Sequence, residues 1–402
     1  MELELVNPTE LLEELHSDFI SKFGDTGSVV FSIAPASFVL CGDHTQYNDG
    51  LMISAAVNSY IGIALKKNDT DENKLIYNGM ELKEKQLLDM ILETDDNVTL
   101  SLSALLKLFQ KRDILDSGFS CLIINKSSKV FGLGNSAALG TALVSAINEA
   151  YALKLNQTQI IDLCLDADRA NFGELVNPSL YCASLGQRSN SVTYYDTRTK
   201  HRKYLDFDPK YKIVLCNTNH LKVNFREMCR ERIEECQIGT KGLRLYIWGI
   251  KNLRDVEEQF LYRHENMIPK RLFVRCVYNI KVRKLVEQGY KNLKENNIPE
   301  LGKILFEVQS ALEKDYDLSS EMCTKLVKMA ADEGITEGSK MLSCSYYEAS
   351  LNIVKKTKLE QFINSISSKY SELTGRKLET KQYEFCEGVK IVKEKNFVEI
   401  KN

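Results

Sequence analysis

Asp43, His44 and Gln46 stand within four positions of one another in the stretch PASFVLCGDHTQYNDG at 35–50, with Tyr47 directly after them. A carboxylate, an imidazole and an amide between them donate to and accept from hydroxyl groups, so this cluster suits a hydroxylated ligand. For His44 the alternative is a structural histidine satisfied by nearby backbone. A second cluster lies at 131–139, FGLGNSAAL, where Gly132, Gly134, Asn135 and Ser136 precede the run GTALVSAINEAYAL. Glycines in such a loop let backbone N–H groups approach an anion, and the N-terminus of the following helix adds its dipole.

Elements able to carry these clusters are readable nearby. Asn7-Pro8-Thr9-Glu10 predicts a helix start, with a capping side chain, a proline at the first helical position and an acid in the first turn. The segment FISKFG at 19–24 predicts its end. NDTDENK at 68–74 reads as a surface loop, and 186–199 holds another.

Beyond these local signals, several motifs in order resemble those of galactokinases, members of the GHMP small-molecule kinases. PASFVLCGDHTQYNDG is similar to a family signature of the type PGRVNLIGEHTDYNGG. GLMISAAVNSYIGIALKKND resembles the strand that follows it, and FGLGNSAAL resembles the phosphate loop GGGLSSSAAL. YKIVLCNTN followed by CRERIEEC resembles a strand and arginine-rich helix, Arg263-His264 the family's RH pair, and GSKMLSCSYYEASLNIV the final GSRMTGAGWGGCTVSLV. The resemblance implies an α+β fold of two domains with a cleft between them, here expected at 1–205 and 206–402. A chain of 402 residues exceeds the usual single-domain size, and its 44% hydrophobic content is ample for two cores.

The same resemblance exposes departures at the chemistry. Phosphoryl transfer needs in-line positioning, neutralised charge on the transferred group, and a means of orienting or deprotonating the attacking hydroxyl. Ser37 occupies the family's arginine position. Ser179 falls at the family's aspartate, with Pro178 or Leu180 as alternatives in a stretch one residue out of step. Gln46 replaces a sugar-gripping aspartate, leaving Asp43, His44, Gln46 and Tyr47 as what remains of the sugar site. In the nucleotide loop Val130 and Asn135 replace a glycine and a serine, leaving Gly132, Gly134, Asn135 and Ser136. SCSYYEA at 343–349 has no glycine, and its tyrosines and Glu348 are expected to obstruct and repel a nucleotide. These changes predict a catalytically inactive protein without a bound cofactor or metal. The alternatives are a sugar and ATP sensor for a transcriptional regulator, and a working sugar kinase of altered mechanism that uses ATP and magnesium.

Charge suggests what an inactive protein would bind. Residues 198–285 hold 21 Lys and Arg against 10 Asp and Glu, while the rest of the chain has 32 against 45. Arg226, Arg230, Arg232, Arg263, Arg271 and Arg275 lie in this block, and arginine favours phosphate contacts. An RNA or ribonucleoprotein partner such as the ribosome is therefore expected ahead of a transcriptional repressor. A solvated helical face paired with the acidic remainder is the alternative. No apolar run reaches the roughly 18 residues that span a bilayer, and the first residues are acidic, so a cytoplasmic protein is expected. The 11 cysteines show neither CxxC spacing nor histidine grouping and read as buried thiols.

Overall fold

The predicted first helix forms where its signals lie. In the computed structural model, which describes residues 7–24, 27–89, 96–127, 133–332, 334–343 and 345–394, α1 runs Pro8–Phe23. The Asn7 side chain accepts from the Thr9 N–H at 3.0 Å, Glu10 sits in the first turn, and Gly24 ends the helix at φ 82°. Leu11, Leu12, Leu15 and Phe19 make its buried stripe and join Phe31 and Ile33 of the underlying strand.

That strand is β1 (Val30–Cys41), buried along all its length because the sheet is covered on both faces. It belongs to an eight-stranded sheet with β2 (Leu51–Lys67), β3 (Lys74–Tyr77), β4 (Met80–Leu82), β5 (Phe119–Asn125), β6 (Ser191–Asp196), β7 (His201–Asp206) and β12 (Lys390–Lys393). The order is β12-β1-β2-β5-β3-β4, with β6 also pairing to β2 and β7 to β6; only β3 and β5 run parallel. Along this sheet the chain forms α2 (Glu84–Asp89), α3 (Asn97–Lys111), α4 (Asn135–Ala150), α5 (Gln157–Phe172) and α6 (Pro178–Gly186).

The second sheet holds β8 (Tyr211–Leu221), β9 (Thr336–Met341), β10 (Tyr347–Lys355) and β11 (Glu379–Tyr383), all antiparallel in the order β11-β8-β10-β9. Its helices are α7 (Phe225–Leu243), α8 (Glu258–Arg263), α9 (Lys270–Lys294), α10 (Ile298–Lys314), α11 (Glu321–Asp332) and α12 (Leu359–Thr374). The sheets divide between Asp206 and Tyr211, yet β12 carries the chain back onto the first sheet near its end. One buried cluster spans both units, joining Phe38 and Ile53 to Leu215, Tyr278 and Met341. No described helix is long and apolar enough to cross a membrane. All ten described cysteines are free thiols, nine of them buried.

Candidate active site

Two register shifts interrupt the pairing of β1 with β2, between Pro35 and Ala36 and between Val39 and Cys41. Such bulges re-aim side chains, and the second one leads into the tight connection from Gly42 to Gly50. Gly42, at φ 100°, has no room for a side chain: a Cβ there would meet the Leu51 carbonyl oxygen at 2.3 Å. The connection drives Asp43 inward. Its Oδ1 accepts from Lys340 Nζ on β9 and from Ser343 Oγ, both partners coming from the second unit, and Tyr278 Oη donates to the Asp43 carbonyl at 2.6 Å. Both charged side chains of this ion pair are fully buried.

His44 and Gln46 instead line a cleft of about 1430 Å³ between the two units. His44 takes φ 54°, and its ring packs against Tyr316 at 5.9 Å and the edge of Phe225 at 6.4 Å. Burial pulls its pKa down to about 4, against the opposing pull of Asp43, with Lys222 and Lys340 lowering it further. The imidazole is therefore neutral at pH 7, with one nitrogen donating and the other accepting. Among the described residues neither ring nitrogen has a hydrogen-bond partner; Gln46 Oε1 and Asp43 Oδ2 have none either. Tyr47 does not join them: its hydroxyl bonds that of Tyr316, which stacks on Tyr278.

The N-terminus of α4 opens on the same cleft through Gly134, Asn135 and Ser136. Gly134 donates its N–H to the Ser37 carbonyl at 2.7 Å, and a Cβ there would lie 3.0 Å from both Ser37 oxygens, so glycine lets the loop lie against β1. Gly132 lies outside the described residues. Ser37 is fully buried and donates from Oγ to the Leu180 carbonyl at 3.0 Å. Ser179 is also fully buried, its Oγ donating at 2.8 Å to Asn177, whose side chain caps α6. Ser37 thus ties β1 to α6 and Ser179 reinforces the cap of α6, while Val39, Asn177 and Leu180 reach the cleft wall.

The opposite wall carries both signs, with Lys222, Arg226 and Arg230 alongside Glu227, Glu231 and Glu234. Lys222, only 8% exposed, donates from Nζ to the Leu342 and Ser345 carbonyls at 3.2 and 2.9 Å and lies 4.2 Å from the Phe225 ring centre. Arg226, on the first turn of α7, faces Asn97 across the cleft. Sequence reading passed over Lys222, and also Asp96, a carboxylate lining the cleft just ahead of α3. The only signal for Asp96 was an acid followed by the apolar run of a helix; for Lys222 there was none. Tyr346 and Tyr347 line the cleft, as expected of SCSYYEA, whereas Glu348 is not among its lining residues.

The basic block also reads differently in three dimensions. Arg232 and Arg275 are buried and share Glu235, at 3.0 and 2.9 Å, while Arg232 also reaches Asp317 and Arg271 pairs with Glu231 and Glu235. Arg232 and Arg275 are committed to an internal network, because a buried cation needs a partner, and the exposed Arg271 joins it from the surface. Arg230 at the cleft edge and Arg263 at the end of α8 are the exposed ones outside it. Among the described residues no three His, Cys, Asp or Glu side chains converge to hold a metal. One acid is concealed behind the wall: Asp168 accepts from the Tyr181 hydroxyl, and burial pushes its pKa up to about 6 against that bond.

Comparison with known proteins places this geometry. Residues 17–67 match the galactokinase galactose-binding signature, and residues 97–178 match the GHMP kinase N-terminal domain. A galactokinase from Fusobacterium nucleatum is 24% identical over 91% of this chain and 95% of its own length; one from Clostridium beijerinckii is 25% identical over the same shares. Lactococcus lactis galactokinase complexed with galactose superposes with a TM-score of 0.84 at 18% identity, over 94% of this chain and 99% of that one. Methanococcus jannaschii mevalonate kinase follows at 0.58 and 15%, covering 88% and 98%. These findings overturn the expectation of an inactive factor that binds RNA or a ribosome. Relatives aligned along nearly their whole length are sugar kinases, the cleft stays open, and half of the arginines assigned to a polyanion are paired internally.

Proposed function

The chain is a galactokinase-like protein of the GHMP kinase superfamily, and on that premise we propose that it is an ATP-dependent sugar kinase working in the cleft between its two sheets. The observation that carries this reading is the set of buried, unpartnered polar atoms at the cleft: both ring nitrogens of His44 and Oε1 of Gln46, with Oδ2 of Asp43 behind them. Leaving such an atom unsatisfied costs about 1–3 kcal/mol. His44 and Gln46, bearing that cost two positions apart on the cleft wall, are what a hydroxyl-rich ligand relieves. Galactose is the first candidate, because the signature matched at 17–67 is a galactose-binding one.

The reaction this supports is transfer of a terminal phosphoryl group. A sugar hydroxyl oxygen forms a bond to phosphorus, the bond to the bridging oxygen breaks, and ADP leaves with that electron pair. The hydroxyl proton passes to a phosphate oxygen or to solvent. Positioning and charge dominate such transfers, and a side-chain base adds about 10²–10⁴-fold. With Ser37 and Ser179 buried, no arginine or carboxylate acts from those positions, so turnover is expected to be slow. Neutral His44 and Gln46 orient the hydroxyls, and the N-terminus of α4 faces the phosphates. Magnesium takes one or two protein carboxylates and keeps phosphate or water as its other ligands. Asp96 and Ser136, on adjoining parts of the wall, fit that need, and the ion when bound would offset phosphate charge.

The test is ATP turnover across a panel of hexoses, with mass spectrometry of the product. A phosphorylated hexose is expected from the wild-type protein, reduced at least tenfold by His44→Ala. No sugar phosphate from any hexose after prolonged incubation would refute the proposal.

A further inference from the structure

We propose that Arg226 is the phosphate-binding cation of this cleft, supplying from α7 the charge that Ser37 cannot supply from β1. The inference rests on the reading of the cleft as a nucleotide-using site. Arg226 lines the cleft with its guanidinium between two aromatic rings, 5.7 Å from the centre of Phe172 and 5.4 Å from that of Tyr346. Cation–π attraction from the two rings holds the head group in place while leaving N–H donors to face a ligand. The rings come from opposite sides of the cleft, Phe172 at the end of α5 and Tyr346 just before β10.

The donors of Arg226 are underused. Among the described residues its hydrogen bonds both come from Nη2, to Asn97 Oδ1 at 3.4 Å and to the Tyr346 hydroxyl at 3.5 Å, the long limit of such contacts. Nε and Nη1 make none, and no described carboxylate lies within ion-pair distance. The contrast lies on the same helix, where Arg232 bonds Glu235, Asp317 and the Tyr316 carbonyl. An arginine held in a cleft beside two aromatic rings and unmatched by an acid has the charge and the donors for a bidentate phosphate contact.

Its location fits the phosphate end of a nucleotide. Asn97 links Arg226 to the helix terminus, since its side-chain oxygen faces Nη2 while its carbonyl accepts from Ser136 Oγ at 3.3 Å. Arg226 and the opening turn of α4 therefore meet the same residue from two sides. An anion between them would be met by the helix N-terminus on one side and by a guanidinium on the other. The aromatic sandwich assigns Tyr346 a use as well, since it holds the cation in place.

The experiment measures thermal stabilisation and affinity of the full chain for magnesium-ATP, adenosine and tripolyphosphate, in wild type and Arg226→Gln. Glutamine keeps a planar head between the rings and removes the charge. Wild type should be protected by magnesium-ATP and tripolyphosphate, and Arg226→Gln should bind both about 10- to 100-fold more weakly, as expected for loss of a charge-assisted contact. Adenosine affinity should be unchanged. Arg226→Lys, which restores charge without the planar fork, should fall between the two and covers the case in which Arg226→Gln fails to fold. If wild type binds tripolyphosphate and both variants match it, the assignment of Arg226 is wrong while the kinase reading stands. If wild type binds neither magnesium-ATP nor tripolyphosphate, both fail together.

Discussion

Replacing Lys340 by methionine should destabilise the protein far more than a substitution of similar shape ordinarily does. Lys340 and Asp43 are both fully buried, 297 positions apart in sequence, and Lys340 Nζ also reaches the Met341 carbonyl at 3.2 Å. Methionine fills most of the volume, so little of the effect comes from a cavity. It comes from Asp43, whose carboxylate would keep only the Ser343 hydroxyl on Oδ1 and nothing on Oδ2. Breaking one side of a buried pair costs about 3–5 kcal/mol, whereas replacing both partners by neutral groups is often neutral. At roughly 2 °C per kcal/mol for a large domain, Tm should fall by about 6–10 °C. Asp43→Asn combined with Lys340→Met should recover most of that loss, because the amide leaves no stranded charge. The assay is thermal unfolding of both single variants and the double variant, analysed as a cycle. A single Lys340→Met variant within about 2 °C of wild type, or a double variant whose loss equals the sum of the singles, would refute the argument that the pair itself fastens the two sheets.

Three further outcomes are expected. Asp168 has a folded pKa raised to about 6, so between about 4 and 6 the unfolded chain loses its proton first and stability falls as pH rises; Asp168→Asn, which can still accept from Tyr181, should remove that fall and raise stability at pH 7 by up to about 3 kcal/mol, read from denaturation at pH 4 and pH 7. His44 has a folded pKa lowered to about 4, so the unfolded chain takes up its proton first and stability falls as pH drops from about 6.5 to 4; His44→Gln should flatten that limb of the stability profile. Ser179→Asp should lower stability by several kcal/mol without adding turnover, since position 179 is buried in the first turn of α6, whereas Leu180→Asp should place a carboxylate on the cleft wall; equal stability of the two variants in unfolding experiments would show that these side chains point otherwise.

Local signals were legible and long-range ones were not. The Asn7 cap, the proline after it and the glycine at 24 set the limits of α1, and a helix does follow the glycine-rich stretch, though it starts at Asn135 rather than with GTALVSAINEAYAL. Motif order pointed to the α+β fold of the GHMP kinases, which the structure has. What stayed hidden were pairings across hundreds of residues. Asp43 was read as facing a sugar because its neighbours do, while its carboxylate is turned to a lysine on β9 that no local pattern connects to it. The excess of arginine at 198–285 looked like a surface face because net charge carries no information on depth. Glu235 alone gathers Arg232, Arg271 and Arg275. Ser37 and Ser179 were recognised as departures from the family pattern, but the burial of each serine, and which neighbour reaches the cleft wall, follow from packing rather than from residue type.

The return of β12 to β1 has a consequence for how the chain is made. Val30 to Ile33 pair with Lys393 to Lys390, so the edge of the first sheet is closed by residues synthesised some 360 positions later. Until they emerge, that stretch of β1 offers unpaired backbone groups on an apolar strand, the kind of edge that invites association with another chain. The second sheet can fold in the meantime, yet the first must wait for the final strand. A chain truncated before residue 390 would keep every residue of the cleft and still lack the seal on its oldest strand, so its yield of dispersed protein, rather than its affinity for ligands, is where the truncation should be felt.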